Sequence, residues 1–162
     1  MYRLITISYF QWNCVRRHWT DTDIEHLIRS KVFKKINEIL QDQSFLHCEK
    51  DTVKYILQES PRKNNEMNLF HAALRWSISR AYSDHQKSSK IPISSLSVET
   101  FPHLPPRIKK SVRVYMSDLI LHLRLRDLSV EDFLDVVVHS GILSVATTRQ
   151  LALDILQNHR HR

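Results

Sequence analysis

The chain has 162 residues, with 24 Lys and Arg against 17 Asp and Glu, a formal net charge of +7, and one glycine. This length suits a single domain with its own hydrophobic core, and 42% hydrophobic with 25% charged residues is ordinary globular composition. One glycine excludes glycine-dependent sites such as a P-loop or a dinucleotide-binding fingerprint. Two cysteines are too few for a disulfide framework, so we expect a reduced setting, the cytoplasm or nucleus. No apolar run is long enough to span a membrane.

The front half of the chain shows a helical period. Residues 1–18 are apolar with an untidy period, and we treat them as a separate N-terminal segment. The range 22–41 opens with a capping box, Thr-Asp-Ile-Glu, and apolar residues then recur at intervals of three and four. This pattern predicts one amphipathic helix over that range. After a short connector with Phe45 and Leu46, Asp51 opens a second, shorter helix.

A polar turn around Pro61 ends that helix and leads into a third one. Trp76 is expected near the C-terminal end of the third helix. Its buried stripe is expected to contain Met67, Phe70, Ala73, Leu74 and Ile78. Residues 82–105 lack periodicity and are rich in serine, lysine and proline. We therefore expect a long exposed loop there, with one helical turn over 93–98.

The back half begins with a helix that Pro105 or Pro106 starts, because a missing amide hydrogen costs nothing in the first helical turn. Ser129 is then expected to cap the next helix, since its hydroxyl can accept a hydrogen bond from an orphan amide. The side chains expected to point inward from that helix are Phe133, Leu134 and Val137.

The only glycine, Gly141, stands where a helix C-terminus needs a left-handed residue. Ser144 can cap a final helix, and the basic tail at 158–162 is expected to fray. The final helix is expected to bury Leu151, Ala152, Ile155 and Leu156. The pattern predicts an all-α protein of six or seven helices in antiparallel pairs.

Three stretches of the chain stand out by their order and spacing. The first, 23–57, is a long helix followed by a phenylalanine and a short capped helix. The second, 66–76, contains E-x-x-x-F-x-A-x-x-x-W, and the third, 123–144, contains R-x-x-x-L-S-x-E-x-F and S-x-x-L-S. In this order they resemble the BACK domain, the helical module that follows the BTB domain in adaptor proteins of cullin-based ubiquitin ligases. The likeness is closest to members in which a small β-sandwich follows BACK.

The resemblance covers a helical domain over 19–157, with 82–105 as an insertion. It implies a non-catalytic scaffold that spaces a substrate-binding part from a cullin-binding part, with cullins and BTB proteins as partners. The sequence shows neither a BTB domain nor a β-sandwich, so we expect a fragment, a truncated gene model or a stand-alone derivative. The residues that carry the structural signature are Phe45, Leu57, Glu66, Phe70, Trp76, Leu128, Ser129, Phe133 and Gly141.

The N-terminal segment offers a candidate partner contact. The resemblance implies that an upstream BTB domain would cover part of residues 4–20, a range that contains Trp12, Val15 and Trp19. Without that domain the apolar surface is exposed, and an uncovered apolar patch favours self-association or a partner. The alternative is that both tryptophans fold back onto the neighbouring helices.

A second candidate surface is cationic. Arg107, Lys109, Lys110 and Arg113 follow the loop within seven residues. They form either a solvated helix start or a phosphate-binding patch, and with the basic tail the patch would make the chain a small helical nucleic-acid-binding protein. No aromatic residues are interleaved to stack bases, so we favour protein partners.

The sequence predicts no catalytic, metal or cofactor site. Cys14 and His18 lie one helical turn apart and Cys48 directly follows a histidine, but no C-x-x-C or H-x-x-x-H spacing occurs. His71 and Glu66 share a helix without a recognisable nucleophile. We therefore expect no enzyme activity.

Overall fold

The computed structural model describes residues 30, 33–61, 66–85, 97 and 99–160, with side chains described as far as residue 157. Every regular element in these ranges is a helix and none is a strand, which confirms the all-α prediction. The chain divides into two compact units, Met1–Pro61 and Arg62–Arg162. A single domain over 19–157 stays a prediction.

The first unit contains helix α1 (Ile36–Gln41), a 3₁₀ helix (Gln43–His47) and helix α2 (Lys50–Glu59). The predicted connector is therefore itself helical. The side chain of Asp42 accepts a hydrogen bond from the Ser44 amide at 2.7 Å, which caps the 3₁₀ turn. The predicted helix over 22–41 is confirmed only in its last part, because most of it lies outside the described residues.

The described residues of the second unit form four α-helices and two 3₁₀ turns. The α-helices are α3 (Glu66–His85), α4 (Pro106–Ile120), α5 (Val130–Asp132), which continues as a π-helix (Phe133–Val138), and α6 (Val145–Arg160). The 3₁₀ turns are Phe101–His103 and Leu125–Asp127. Helices α3 and α4 make the largest contact in this unit, and they form an antiparallel pair. None of the described helices is long and apolar enough to cross a membrane.

Helix α3 is longer than the sequence predicted. Trp76 lies near its middle, because the helix continues to His85. The polar residues after Trp76 weaken the apolar period, but Ile78 and Ala81 continue the buried stripe at helical spacing. The five residues predicted for that stripe are all buried.

The predicted loop over 82–105 is shorter at both ends. Residues 82–85 belong to α3, and the 3₁₀ turn at Phe101–His103 buries the phenylalanine. Leu104 is buried as well, so this end of the predicted loop contributes to the core. The predicted helical turn over 93–98 falls largely outside the described residues.

Local cap chemistry sets the ends of the later helices as predicted. Pro106 is the first residue of α4. The Ser129 hydroxyl accepts from the Asp132 amide at 3.0 Å, and the Ser144 hydroxyl accepts from the Thr147 amide at 3.1 Å. Leu134 and Leu156 were predicted to be buried, and this was wrong, since their side chains are 46% and 50% exposed.

Candidate interaction surface

Most signature residues are buried in the interior and are not part of an exposed surface. The apolar members that are buried are Phe45, Leu57, Phe70, Trp76, Leu128 and Phe133. Their packing stabilises the helices that carry the exposed side chains. Any partner contact must therefore use other residues.

Glu66 has a role that the sequence did not indicate. Its position in the first turn of α3 predicted only a favourable interaction with the helix dipole. In the structure the residue is 7% exposed, and its carboxylate accepts hydrogen bonds from the backbone N–H and from the Nε–H of Arg124, the latter at 3.4 Å. These hydrogen bonds connect Arg124, which follows α4, to the first turn of α3.

The opposite end of the α3–α4 pair is also fastened by polar contacts. The Tyr115 hydroxyl donates to the Asp84 carboxylate, and His85 Nε2 lies 2.8 Å from the Ser111 hydroxyl. The hydrogen bond to Asp84 raises the pKa of the Tyr115 hydroxyl, and burial adds a smaller effect in the same direction. The Tyr115 ring packs edge-on against Trp76 with ring centroids 5.7 Å apart.

His71 is half-buried on α3. Burial lowers the pKa of its imidazole, and the carboxylate of Glu99 opposes that effect. The pKa of Glu99 is itself lowered, chiefly by a hydrogen bond from the Ser97 side chain. Glu66 binds Arg124, so the pairing of His71 with Glu66 considered from the sequence is not supported.

The cationic patch does not present four equivalent charges. Lys109 Nζ donates to the Pro102 carbonyl at 2.5 Å, and Arg113 donates to the Gly141 carbonyl at 3.0 Å. The Arg113 guanidinium also lies 6.0 Å from the centroid of the Phe101 ring. These two side chains contribute to the fold, although Arg113 is exposed, as are Arg107 and Lys110.

The exposed face of α4 is a mixed surface that sequence reasoning missed. Arg107, Lys110, Val114 and Leu121 recur at helical spacing and share one face. Val114 is 62% exposed and Leu121 is 82% exposed. Their i, i+3, i+7 spacing with the cations was present in the sequence and could have marked this face.

The other predicted contacts lie outside the described residues. This holds for Trp12, Val15, Trp19 and the tail beyond residue 160. Among the residues that the structure describes, no group of three His, Cys, Asp or Glu side chains could hold a metal ion. Cys48 is buried, and its thiol lies 3.8 Å from the Ser44 carbonyl oxygen.

Residues 14–92 match the family model BACK, described as BTB And C-terminal Kelch. Over these residues the chain is similar to BACK domains. No curated protein and no solved structure matched the chain.

The BACK match confirms the family resemblance over the first two stretches that suggested it. BACK domains belong to adaptor-type proteins that are generally not enzymes. The third stretch, 123–144, lies beyond the matched residues, so its likeness to the family depends on its own motifs. The match supports a protein-interaction module.

Proposed function

We propose that the chain is a non-catalytic scaffold of the BACK type, which binds protein partners within a cullin-based ubiquitin ligase in the cytoplasm or nucleus. The observation that carries this proposal is the BACK match over residues 14–92. In this role the helical array sets the spacing between a substrate-binding part and a cullin-binding part.

The contacts of the signature residues support a scaffold. Trp76 and Phe70 are completely buried, and the Glu66–Arg124 contact joins segments that are distant in sequence. Cys48 is a buried thiol with its sulfur near a carbonyl oxygen, which is the environment of a structural cysteine rather than of a nucleophile. Such side chains stabilise the helices of each unit, as a scaffold role requires.

We place the cullin and BTB contacts on the N-terminal part of the matched region. Val15 and Trp19 fall within the match, and Trp12 lies just before it. Large aromatic side chains provide much of the binding energy at protein interfaces. These three residues are therefore the ones to change first.

The test uses the purified full chain with two purified probes, the N-terminal domain of a cullin and a BTB-domain protein. Binding is measured by biolayer interferometry at probe concentrations up to about 100 μM, a range that includes weak complexes. We expect binding to at least one probe, and Trp19→Ala should weaken it at least about tenfold.

Leu153→Ala provides the matched control, since this side chain is 49% exposed on α6, far along the sequence from Trp19. The control should bind as the unchanged chain does. Absence of binding to both probes, with the chain shown to be folded by circular dichroism, would contradict the proposal.

A further inference from the structure

A groove of about 770 Å³ lies within the second unit, between the C-terminal half of α4 and the turn that leads into α6. One wall carries Arg113, Ser117 and Leu121, and the other carries Ile142 and Val145. Leu121 and Val145 are 82% and 86% exposed although both are aliphatic. Apolar side chains that line one groove in water are typical of a binding surface.

The groove continues into the exposed face of α4. Val114 precedes Leu121 by two helical turns on that face. Lys110 lies one turn and Arg107 two turns further towards the N-terminus. The surface is thus aliphatic at one end and cationic at the other. Half-buried Asp118 is the one acidic residue of α4 and lies at the edge of this face.

Arg113 connects the two walls of the groove. Its guanidinium donates to the Gly141 carbonyl across the groove at 3.0 Å and lies above the Phe101 ring. A guanidinium has five N–H donors, so one hydrogen bond to a carbonyl leaves donors for a carboxylate. The contact also fixes the direction in which the charge is presented, which lowers the ordering cost of binding.

We propose that this groove binds an acidic, leucine-rich or isoleucine-rich segment of a partner protein. Aliphatic side chains of the segment cover Leu121 and Val145, and its carboxylates face Arg107, Lys110 and Arg113. Charge complementarity selects this occupant over a second copy of the same face, whose own cations would meet these ones. This proposal rests on the proposed role as a protein-interaction module, and it uses other residues than the N-terminal contact proposed at Trp19.

The test is a selection from a displayed library of random 16-residue peptides. The bait is the full chain, and the counter-selection uses the double variant Leu121→Asp, Val145→Asp. Both changes fall on highly exposed side chains, and an aspartate in the first turn of α6 complements the helix dipole, so the variant is expected to fold. We expect enriched peptides that combine Leu or Ile with Asp or Glu.

The best selected peptide is then measured by fluorescence anisotropy. The double variant should weaken binding at least about tenfold, and Arg107→Glu with Lys110→Glu should weaken it and reduce its salt dependence. Leu153→Asp, which changes an exposed leucine of α6 outside the groove lining, should leave binding unchanged.

Four outcomes would overturn the proposal. They are the absence of any peptide that discriminates against the double variant, equal loss of binding in Leu153→Asp, displacement of the peptide by an oligonucleotide that binds the same cations, and a self-associated chain that the double variant dissociates. None of them concerns the cullin or BTB probes. Failure of the groove is thereby distinguished from failure of the proposed function.

Discussion

Glu66 and Arg124 are joined although 58 positions separate them in the chain. The carboxylate lies in the first turn of α3 and accepts from both the backbone and the side chain of an arginine that follows α4. Burial of a carboxylate is unfavourable unless hydrogen bonds or an opposite charge compensate for it. Here one arginine supplies both, and the antiparallel pair is held at this end.

Glu66→Ala is predicted to lower the free energy of unfolding by about 2–3 kcal/mol, because it leaves a backbone N–H and a guanidinium without their acceptor. Glu66→Gln should lose less, since an amide oxygen can still accept from the backbone N–H. Urea unfolding followed by circular dichroism measures both changes.

The control for this prediction is Glu38→Ala. Glu38 forms a 3.7 Å ion pair with Lys35 in which both side chains are more than 60% exposed. Such surface pairs contribute about 0–1 kcal/mol. If Glu66→Ala and Glu38→Ala lowered the free energy of unfolding equally, the buried contact would contribute no more than the exposed ion pair, and the prediction would be contradicted.

Trp76→Ala is predicted to cost about 3–5 kcal/mol, because the side chain is 0% exposed and its removal leaves a large cavity. This is a large part of the stability of an ordinary domain, so cooperative melting should be lost. A thermal transition unchanged in Trp76→Ala would refute the prediction.

Tyr115→Phe is the matched control. It keeps the ring that packs on Trp76 and removes only the hydrogen bond to Asp84, so it should cost about 1 kcal/mol.

The parts of the fold that were predicted from the sequence depend on local chemistry. Ser129 and Ser144 cap the helices that follow them because a hydroxyl reaches an amide three residues ahead, and that relationship is visible in the sequence. Pro106 and Gly141 mark a helix start and a helix end for equally local reasons.

The features that were missed depend on contacts between distant residues. Nothing near Glu66 in the sequence indicates Arg124 as its partner, and nothing near Arg113 indicates the Gly141 carbonyl. The length of α3 was underestimated because tertiary packing of Ala81 outweighs the weak apolar period after Trp76. Long-range hydrogen bonds and packing have no signature in a local window.

Gly141→Ala is predicted to destabilise the chain by about 1–2 kcal/mol. Gly141 has a φ of +61°, where a Cβ is disfavoured, and an added Cβ would meet no atom within 4 Å. The cost therefore comes from the backbone alone. Gly141→Asn should cost less, since asparagine tolerates this conformation. A shift in thermal midpoint that is equal for both variants would contradict this explanation.

His71 makes stability depend on pH. Burial lowers the pKa of the folded imidazole below its ordinary value of 6.5, so the unfolded chain takes up a proton first as the pH falls. The stability that neutral His71 contributes is present above pH 6.5 and is lost as the pH falls through the lowered folded pKa. The difference in unfolding free energy between the unchanged chain and His71→Gln should therefore shrink from pH 7.5 to 5.5, about one unit either side of that value.

Urea unfolding at several pH values measures this difference, and the other histidines cancel because both chains contain them. A difference that grows as the pH falls would show that the carboxylate of Glu99 outweighs burial.

The π-helix at Phe133–Val138 has a consequence for comparing relatives of this chain. Its hydrogen bonding reaches back five residues, as between the His139 amide and the Leu134 carbonyl, so the turn holds one residue more than an α-helical turn. A gene that gained one codon here would keep both the serine at the helix start and the glycine at its end. Relatives with an ordinary α-helix in this place should align with a single-residue gap between Ser129 and Gly141.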